Sequence, residues 1–262
     1  MNRLLIVAGL ALGIAACATS PLGRSQLNLF SDAQMDRLGA TAYAEIRQST
    51  PVSRDRRARR FVRCVSEAVT DVAGSPGERW QVTLFEDPSA NAFALPGGKI
   101  GVNTGLLEVA RNQDQLATVI GHEVAHVIAR HGAERMSQEF ATKAGLDLAR
   151  ALSGAPSPTR NAIFGALGVG AKFGILLPYS RTQESEADLL GLDLMAKAGF
   201  DPRESVELWQ NMERAGGRAR PEFLSTHPSS GTRIADLQAR IPQAMRLYQQ
   251  ARQAGRRPRC AP

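Results

Sequence analysis

The sequence predicts an α+β fold that is predominantly helical, with a small sheet of three to four strands. Two observations predict it. Apolar residues recur at three- and four-residue spacing over most of the chain, and only around 80–102 does the period fall to two. Residues 29–48 open on Ser31-Asp32, a helix cap, and stop short of Pro51. Residues 53–72 gather Phe61, Val62, Val65 and Val69 on one helical face and end at Gly74. Trp80, Val82 and Leu84 then alternate with Gln81, Thr83 and Phe85. Ala92-Phe93-Ala94-Leu95, a turn at Pro96-Gly97-Gly98, and Ile100 with Val102 supply the remaining strands. Helices follow over 113–130, 133–152, 161–177, 182–197, 202–214 and 231–252, the last broken at Pro242. Residues 153–159, with two prolines and a glycine, form a loop. The glycine-rich apolar run 161–177 carries Lys172 and is too short to span a bilayer, so it reads as a core or cleft-lining helix.

With 262 residues, 43% hydrophobic and 22% charged, the chain suits one sizeable domain and excludes disordered, collagenous and polytopic membrane classes. The net charge of +7 lies largely in local runs, Arg54, Arg56, Arg57, Arg59, Arg60 and Arg63 early and Arg256, Arg257 and Arg259 late. No aromatic-flanked basic groove accompanies them, so nucleic acid is not an expected partner; a solvated face able to touch anionic lipid headgroups is.

Arg3 followed by the apolar stretch from Leu4 to Ile14 has the form of an export signal. Ile14-Ala15-Ala16-Cys17 resembles the bacterial lipobox, in which the cysteine is acylated and the peptide is cut before it. The expected organisation is therefore a lipoprotein signal peptide over 1–17, a tether over 18–30, one catalytic domain over 31–255 and a basic tail over 256–262. Acylated Cys17 would anchor the chain to the membrane, and Ala18 after it favours the outer membrane, facing the periplasm. An oxidising periplasm would let Cys64 and Cys260 pair; two unpaired thiols are the alternative.

The chemistry centres on His122-Glu123-Val124-Ala125-His126, an H-E-x-x-H pattern in an apolar-periodic helical run. Residues four apart project from one helix face about 6 Å apart, so two imidazoles can take neighbouring corners of a zinc site with Glu123 beside the ion. Catalytic zinc ordinarily takes a third protein ligand. A metzincin would place Gly at 129 and His at 132, where this chain has Ala129 and Gly132; His131 stands one place early and reads as a helix-end residue. The remaining common ligand is a glutamate from a second helix, and the run from Tyr179 to Asp188 offers one. Glu184 and Asp188 share a face, so one can ligate while the other orients a histidine. Glu186, about 200° around the helix from Glu184, is expected to face away as a solvated charge.

Four motifs in order, Asn91 to Gly98, His122 to His126, Ser180-Arg181 through Asp188, and Ser225-Thr226-His227-Pro228, resemble the HtpX and CaaX-prenyl-protease group of gluzincin metallopeptidases. Within it, the lipoprotein start and short length are most similar to the LoiP-type lipoprotein branch. The resemblance implies a zincin-like domain with one zinc ion held by His122, His126 and Glu184, with Glu123 as general base and Asp188 orienting a ligand. It further implies that Asn91, Ala92, Phe93 and Ala94 form the edge on which an extended substrate adds as a strand. His227 would either steady the developing oxyanion or occupy the fourth metal position and hold the enzyme latent; a plain His-Pro turn is the other reading. The expected function is hydrolysis of misfolded or stalled envelope proteins, in contact with outer-membrane assembly machinery. The alternative is an assembly or chaperone-like factor with a latent zinc site.

Overall fold

The computed structural model describes residues 17–74, 80–152, 178–215, 222–227 and 231–261. The predominantly helical α+β class expected from the periodicity is what these residues form. The loop expected at 153–159 and the helix expected at 161–177 lie outside the described residues.

Residues 18–30, anticipated as a tether, are instead a docked element. Strands β1 (Cys17–Thr19) and β2 (Ser25–Leu27) pair antiparallel around a turn in which Gly23 takes φ 87°. The Gln26 amide donates to the Ala129 carbonyl at 2.8 Å, and the Leu29 N–H donates to Ser137 Oγ at 2.8 Å. Docking through polar side chains leaves no apolar periodicity, so the segment reads as linker in the sequence.

Helix α1 (Asp32–Ser49) starts in a capping box between Ser31 and Gln34 and buries Met35, Ala42, Tyr43 and Ile46. Helix α2 (Arg56–Thr70) is capped by Asp55, whose carboxylate accepts from the Arg57 and Ala58 N–H groups. Its four anticipated inward residues are buried, and its arginines are exposed. Strands β3 (Gln81–Phe85), β4 (Ala92–Leu95) and β5 (Lys99–Asn103) form a sheet in the order β3-β5-β4. β3 runs parallel to β5 and β4 antiparallel to it, so β4 is an edge strand. The β4–β5 turn needs positive φ at Gly97 (76°) and Gly98 (70°), the conformation glycine adopts without strain.

A one-turn helix α3 (Leu106–Val109) leads into α4 (Gln113–Ile128), where every residue from Gln115 to His126 is buried. Helix α5 (His131–Leu152) follows at once. Helix α6 (Arg181–Ala198) lies across α4 and ends at Gly199 in the left-handed conformation. Helices α7 (Glu204–Ala215), α8 (Glu222–Thr226) and α9 (Arg233–Gln253) complete the domain. The break expected at Pro242 does not occur: α9 runs through it, with Leu237 and Ala244 on either side buried so that packing holds both halves against the domain. The tail 256–261 is not free either. Cys260 is bonded to Cys64 of α2, and its N–H donates to Gln113 Oε1 at 2.8 Å, while Arg256, Arg257 and Arg259 stay at least partly open to solvent.

Helices α4 and α6 meet backbone to backbone where they cross. A Cβ on Gly121 would stand 2.6 Å from the Gly191 carbonyl oxygen, and one on Gly191 would stand 2.7 Å from the His122 backbone nitrogen. Both obstacles are backbone, so neither can swing aside. Gly191→Ala should therefore destabilise the fold by about 1–3 kcal/mol, despite the ~1 kcal/mol alanine ordinarily gains over glycine within a helix. A lowered urea midpoint with unchanged slope checks this.

Candidate metal centre and active site

Helix α4 carries His122, Glu123 and His126, and its burial on all sides means these polar groups point into the protein rather than into water. The two imidazoles present their Nε2 atoms 3.1 Å apart. The α4–α6 crossing brings Glu184 to the same point, with Oε2 3.4 Å from His122 Nε2 and Oε1 3.4 Å from His126 Nε2. His227, directly after α8, adds Nδ1 at 3.2 Å from His122 Nε2 and 3.0 Å from Glu184 Oε1. Ligand atoms of the four residues lie within 4.8 Å of one another, and all four residues are buried.

The arrangement fits a small divalent ion. Bonds of about 2.0–2.2 Å in a tetrahedron set ligand atoms about 3.3–3.6 Å apart, close to the 3.0–3.4 Å observed. A carboxylate ringed by three imidazole nitrogens also offers lone pairs facing one another in a buried space, which a cation reconciles.

The surroundings orient these groups. The Nδ1 atom of His122 meets Asp188 Oδ1 at 2.9 Å, and Arg233 at the start of α9 donates to Asp188 Oδ2 through Nε and to Glu184 Oε2 through a terminal nitrogen at 2.8 Å. Its guanidinium lies 3.9 Å from the Trp209 ring centroid. Tyr179 stacks on His126 with ring centroids 3.9 Å apart, and Phe223 stacks on His227 at 4.4 Å. Sequence reasoning missed Arg233, because nothing in Gly231-Thr232-Arg233 marks it, and missed Tyr179 as a ring partner although it begins the acidic motif.

Two expectations are corrected. Glu186 does face away from Glu184, but it is only 5% exposed: His131 Nε2 lies 3.2 Å from its Oε2, and Arg24 Nε donates to the same oxygen at 2.9 Å. His131 is no mere helix end; it is fully buried, with Nδ1 2.9 Å from His126 Nδ1. The docked hairpin covers the face that would otherwise have met water.

Burial and charge set the protonation pattern. For His122, burial pushes the pKa down most, but Asp188 and Glu184 together outweigh it and carry it up to about 9. Burial holds His126 well below the ordinary imidazole range, leaving its lone pair free at neutral pH. Glu184 is also pushed up by burial, yet bonds from His122, His126 and His227 bring it far below the usual carboxylate range. Burial raises Glu123, which accepts from the Ala94 N–H at 3.0 Å and lies 3.2 Å from His227 Nε2.

Of the anticipated substrate edge, Ala92 and Ala94 are buried on β4, while Asn91 and Phe93 are half-buried. The Asn91 side chain accepts from the Ala92 N–H at 2.9 Å. Phe223 of α8 donates its N–H to the Ala90 carbonyl at 3.2 Å, tying α8 to the segment just ahead of this edge. A cavity of about 290 Å³ opens beside His126, walled by Met35, Ala94, Val127 and Tyr179.

The sequence profile of peptidase family M48 matches residues 55–241, a span that contains the four converging donors and Glu123. This chain belongs to peptidase family M48. Among curated relatives of this M48 chain, the mitochondrial metalloendopeptidase OMA1 of Schizosaccharomyces pombe is 38% identical over 70% of the chain and 53% of the relative. Human OMA1, a mitochondrial metalloendopeptidase, is 34% identical over 87% and 46%. The beta-barrel assembly-enhancing protease of Escherichia coli is 28% identical over 85% and 47%. The chain thus spans about half the length of the curated relatives it matches.

The hairpin's charges give this M48 domain an acid-sensitive contact. Burial raises Glu134 and Glu186, but bonds led by Arg24 for Glu134, and by Ser20 and Arg24 for Glu186, leave both below the ordinary carboxylate range. Both carboxyls titrate lower folded than unfolded, so their stabilising contribution is full above the ordinary range and drains as pH falls through the folded values. Arg24→Met should therefore lower the urea midpoint at pH 7, and its deficit against the unaltered chain should shrink as the pH is taken down through 4. A deficit constant across that range contradicts the assignment.

Proposed function

We propose that this chain is a zinc-dependent metalloendopeptidase of a bacterial envelope, and that the structure represents its latent arrangement. The observation that carries the reading is the convergence of His122, His126 and Glu184 at tetrahedral spacing with Glu123 beside them. Three imidazoles and one carboxylate are a donor set suited to zinc among the common divalent ions. Bound there, the ion supplies Lewis acidity, acidifying water and polarising a peptide carbonyl.

The chain's own residues do the rest. Glu123, its affinity for a proton raised by burial, takes one from the attacking water and passes it to the leaving amine. Asp188, held by Arg233, keeps the His122 ring turned toward the metal position. An extended substrate adds to the outer edge of β4 at Asn91 to Ala94, where backbone hydrogen bonds supply affinity with loose sequence selectivity. Misfolded or stalled periplasmic and outer-membrane proteins are extended chains of that kind. Lipid on Cys17, the first residue of β1, would place the catalytic unit on the outer membrane facing the periplasm, near the assembly machinery. The lipobox-like Ile14-Ala15-Ala16-Cys17 and likeness to a beta-barrel assembly-enhancing protease support this placement.

One observation favours the second reading, an assembly or chaperone-like factor with a latent zinc site. His227 belongs to the donor cluster, held there by α8, which is bonded to Ala90 just ahead of β4. The two readings part on Glu123→Gln: an assembly factor survives it in the cell, whereas a protease does not.

Glu123→Gln should retain zinc and lose at least about a hundredfold in casein cleavage, while alanine at His122, His126 or Glu184 should release the metal. Metal analysis alongside the digest reads both, and cleavage by Glu123→Gln near that of the unaltered chain defeats the assignment. His227→Ala should keep zinc and raise casein cleavage several-fold, because it clears the fourth position. A fall to background with zinc retained would assign His227 to the oxyanion instead.

A further inference from the structure

His131 takes no part in the chemistry above, yet it is fully buried and its Nδ1 lies 2.9 Å from Nδ1 of His126. Its other ring nitrogen, Nε2, lies 3.2 Å from Glu186 Oε2. That oxygen also accepts from Arg24 Nε at 2.9 Å, and the terminal nitrogens of Arg24 fork across the two oxygens of Glu134 at 2.5 and 2.7 Å. Arg24 lies in the β1–β2 turn segment, just before Ser25, so the row of hydrogen bonds runs from the hairpin to a metal-facing imidazole.

Proton placement gives the row one direction. A neutral imidazole has one N–H and one lone pair. If His126 turns the Nε2 lone pair toward the ion, its proton sits on Nδ1, and among the described residues the group placed to accept it is Nδ1 of His131. That nitrogen must then be unprotonated, which puts the proton of His131 on Nε2, facing Glu186. An ionised carboxylate only accepts, and the Arg24 guanidinium on the same Glu186 oxygen favours the ionised form. Every link is satisfied by this single assignment.

We propose that His131 is a positioning residue: it fixes the tautomer and ring orientation of His126, and the hairpin's Arg24, through Glu186, fixes His131 in turn. The proposal rests on the metal-centre reading above. It makes the two helix-borne imidazoles differently supported, His122 by the carboxylate of Asp188 and His126 by a second imidazole. It also couples the N-terminal hairpin to the metal position, so undocking of residues 17–27 is felt at His126.

The test uses the zinc-loaded full chain. Nitrogen-15 NMR of the histidine rings should show His131 as the Nε2–H tautomer with Nδ1 in the range of a hydrogen-bond acceptor; finding it as Nδ1–H overturns the proposal. In competition with a chromophoric zinc chelator, His131→Leu should bind zinc about 10–100-fold more weakly. His131→Gln, whose amide can both accept and donate, should recover to within a few-fold of the unaltered chain. A role in packing alone predicts equal zinc affinity for leucine, glutamine and the unaltered chain, and that result also overturns the proposal. Should the leucine variant fail to fold, the tautomer measured in the unaltered chain still decides. His126→Ala separates the two levels: if it too binds zinc as tightly as the unaltered chain, the metal centre itself is wrong.

Discussion

The closeness of α4 and α6 at Gly121 and Gly191 is the constraint on which the site depends. Side chains of ordinary size at either position would meet backbone at under 3 Å, and the helices would have to separate. Glu184 lies seven residues, about two turns, before Gly191 on α6, and His122 directly follows Gly121 on α4. The crossing therefore sets how far the carboxylate stands from the imidazoles. A shift of about one ångström there exceeds the roughly 0.5 Å within which a metal site must be held, which makes these glycines part of the site though neither offers a donor atom.

Around that crossing the protein buries a high density of ionisable groups and matches them with one another. Asp188 and Arg233, with Trp209 beneath the guanidinium, stand behind His122. Glu186, Arg24, Glu134 and Gln183 stand behind His131 and His126. Buried charges left without partners are costly, whereas satisfied networks fix a unique geometry. The hairpin contributes a large part of that satisfaction, because Arg24 pairs with two carboxylates, Glu134 and Glu186, at once.

Closure is the second consequence of the fold. Phe223 stacks on His227 and ties α8 to Ala90 ahead of the edge strand, and Tyr179 lies flat on His126. Under the proposed function these groups keep water and stray chains from Glu123 until His227 yields its place. The Ala94 N–H that serves Glu123 then lies next to the edge where a substrate backbone would pair. On that proposal, latency and recognition use neighbouring groups.

Local periodicity was enough to read the long helices among the described residues, the three strands and the glycine turn between β4 and β5, because burial of one face imposes a repeat on the residues themselves; the short α3 and α8 are too brief to show one. The residues that converge on the metal position were readable for a similar reason: His122, Glu123 and His126 share one helical turn, and Glu184 sits in an acidic motif four residues from Asp188. The docked hairpin, the burial of His131 and Glu186, the Arg233 clamp and the unbroken α9 through Pro242 left no such trace. The polar ones depend on partners distant in the chain, 110 residues from Arg24 to Glu134 and 45 from Asp188 to Arg233. A polar side chain that meets water and one that meets a buried carboxylate are the same letter in a sequence; only packing decides which solvent it finds.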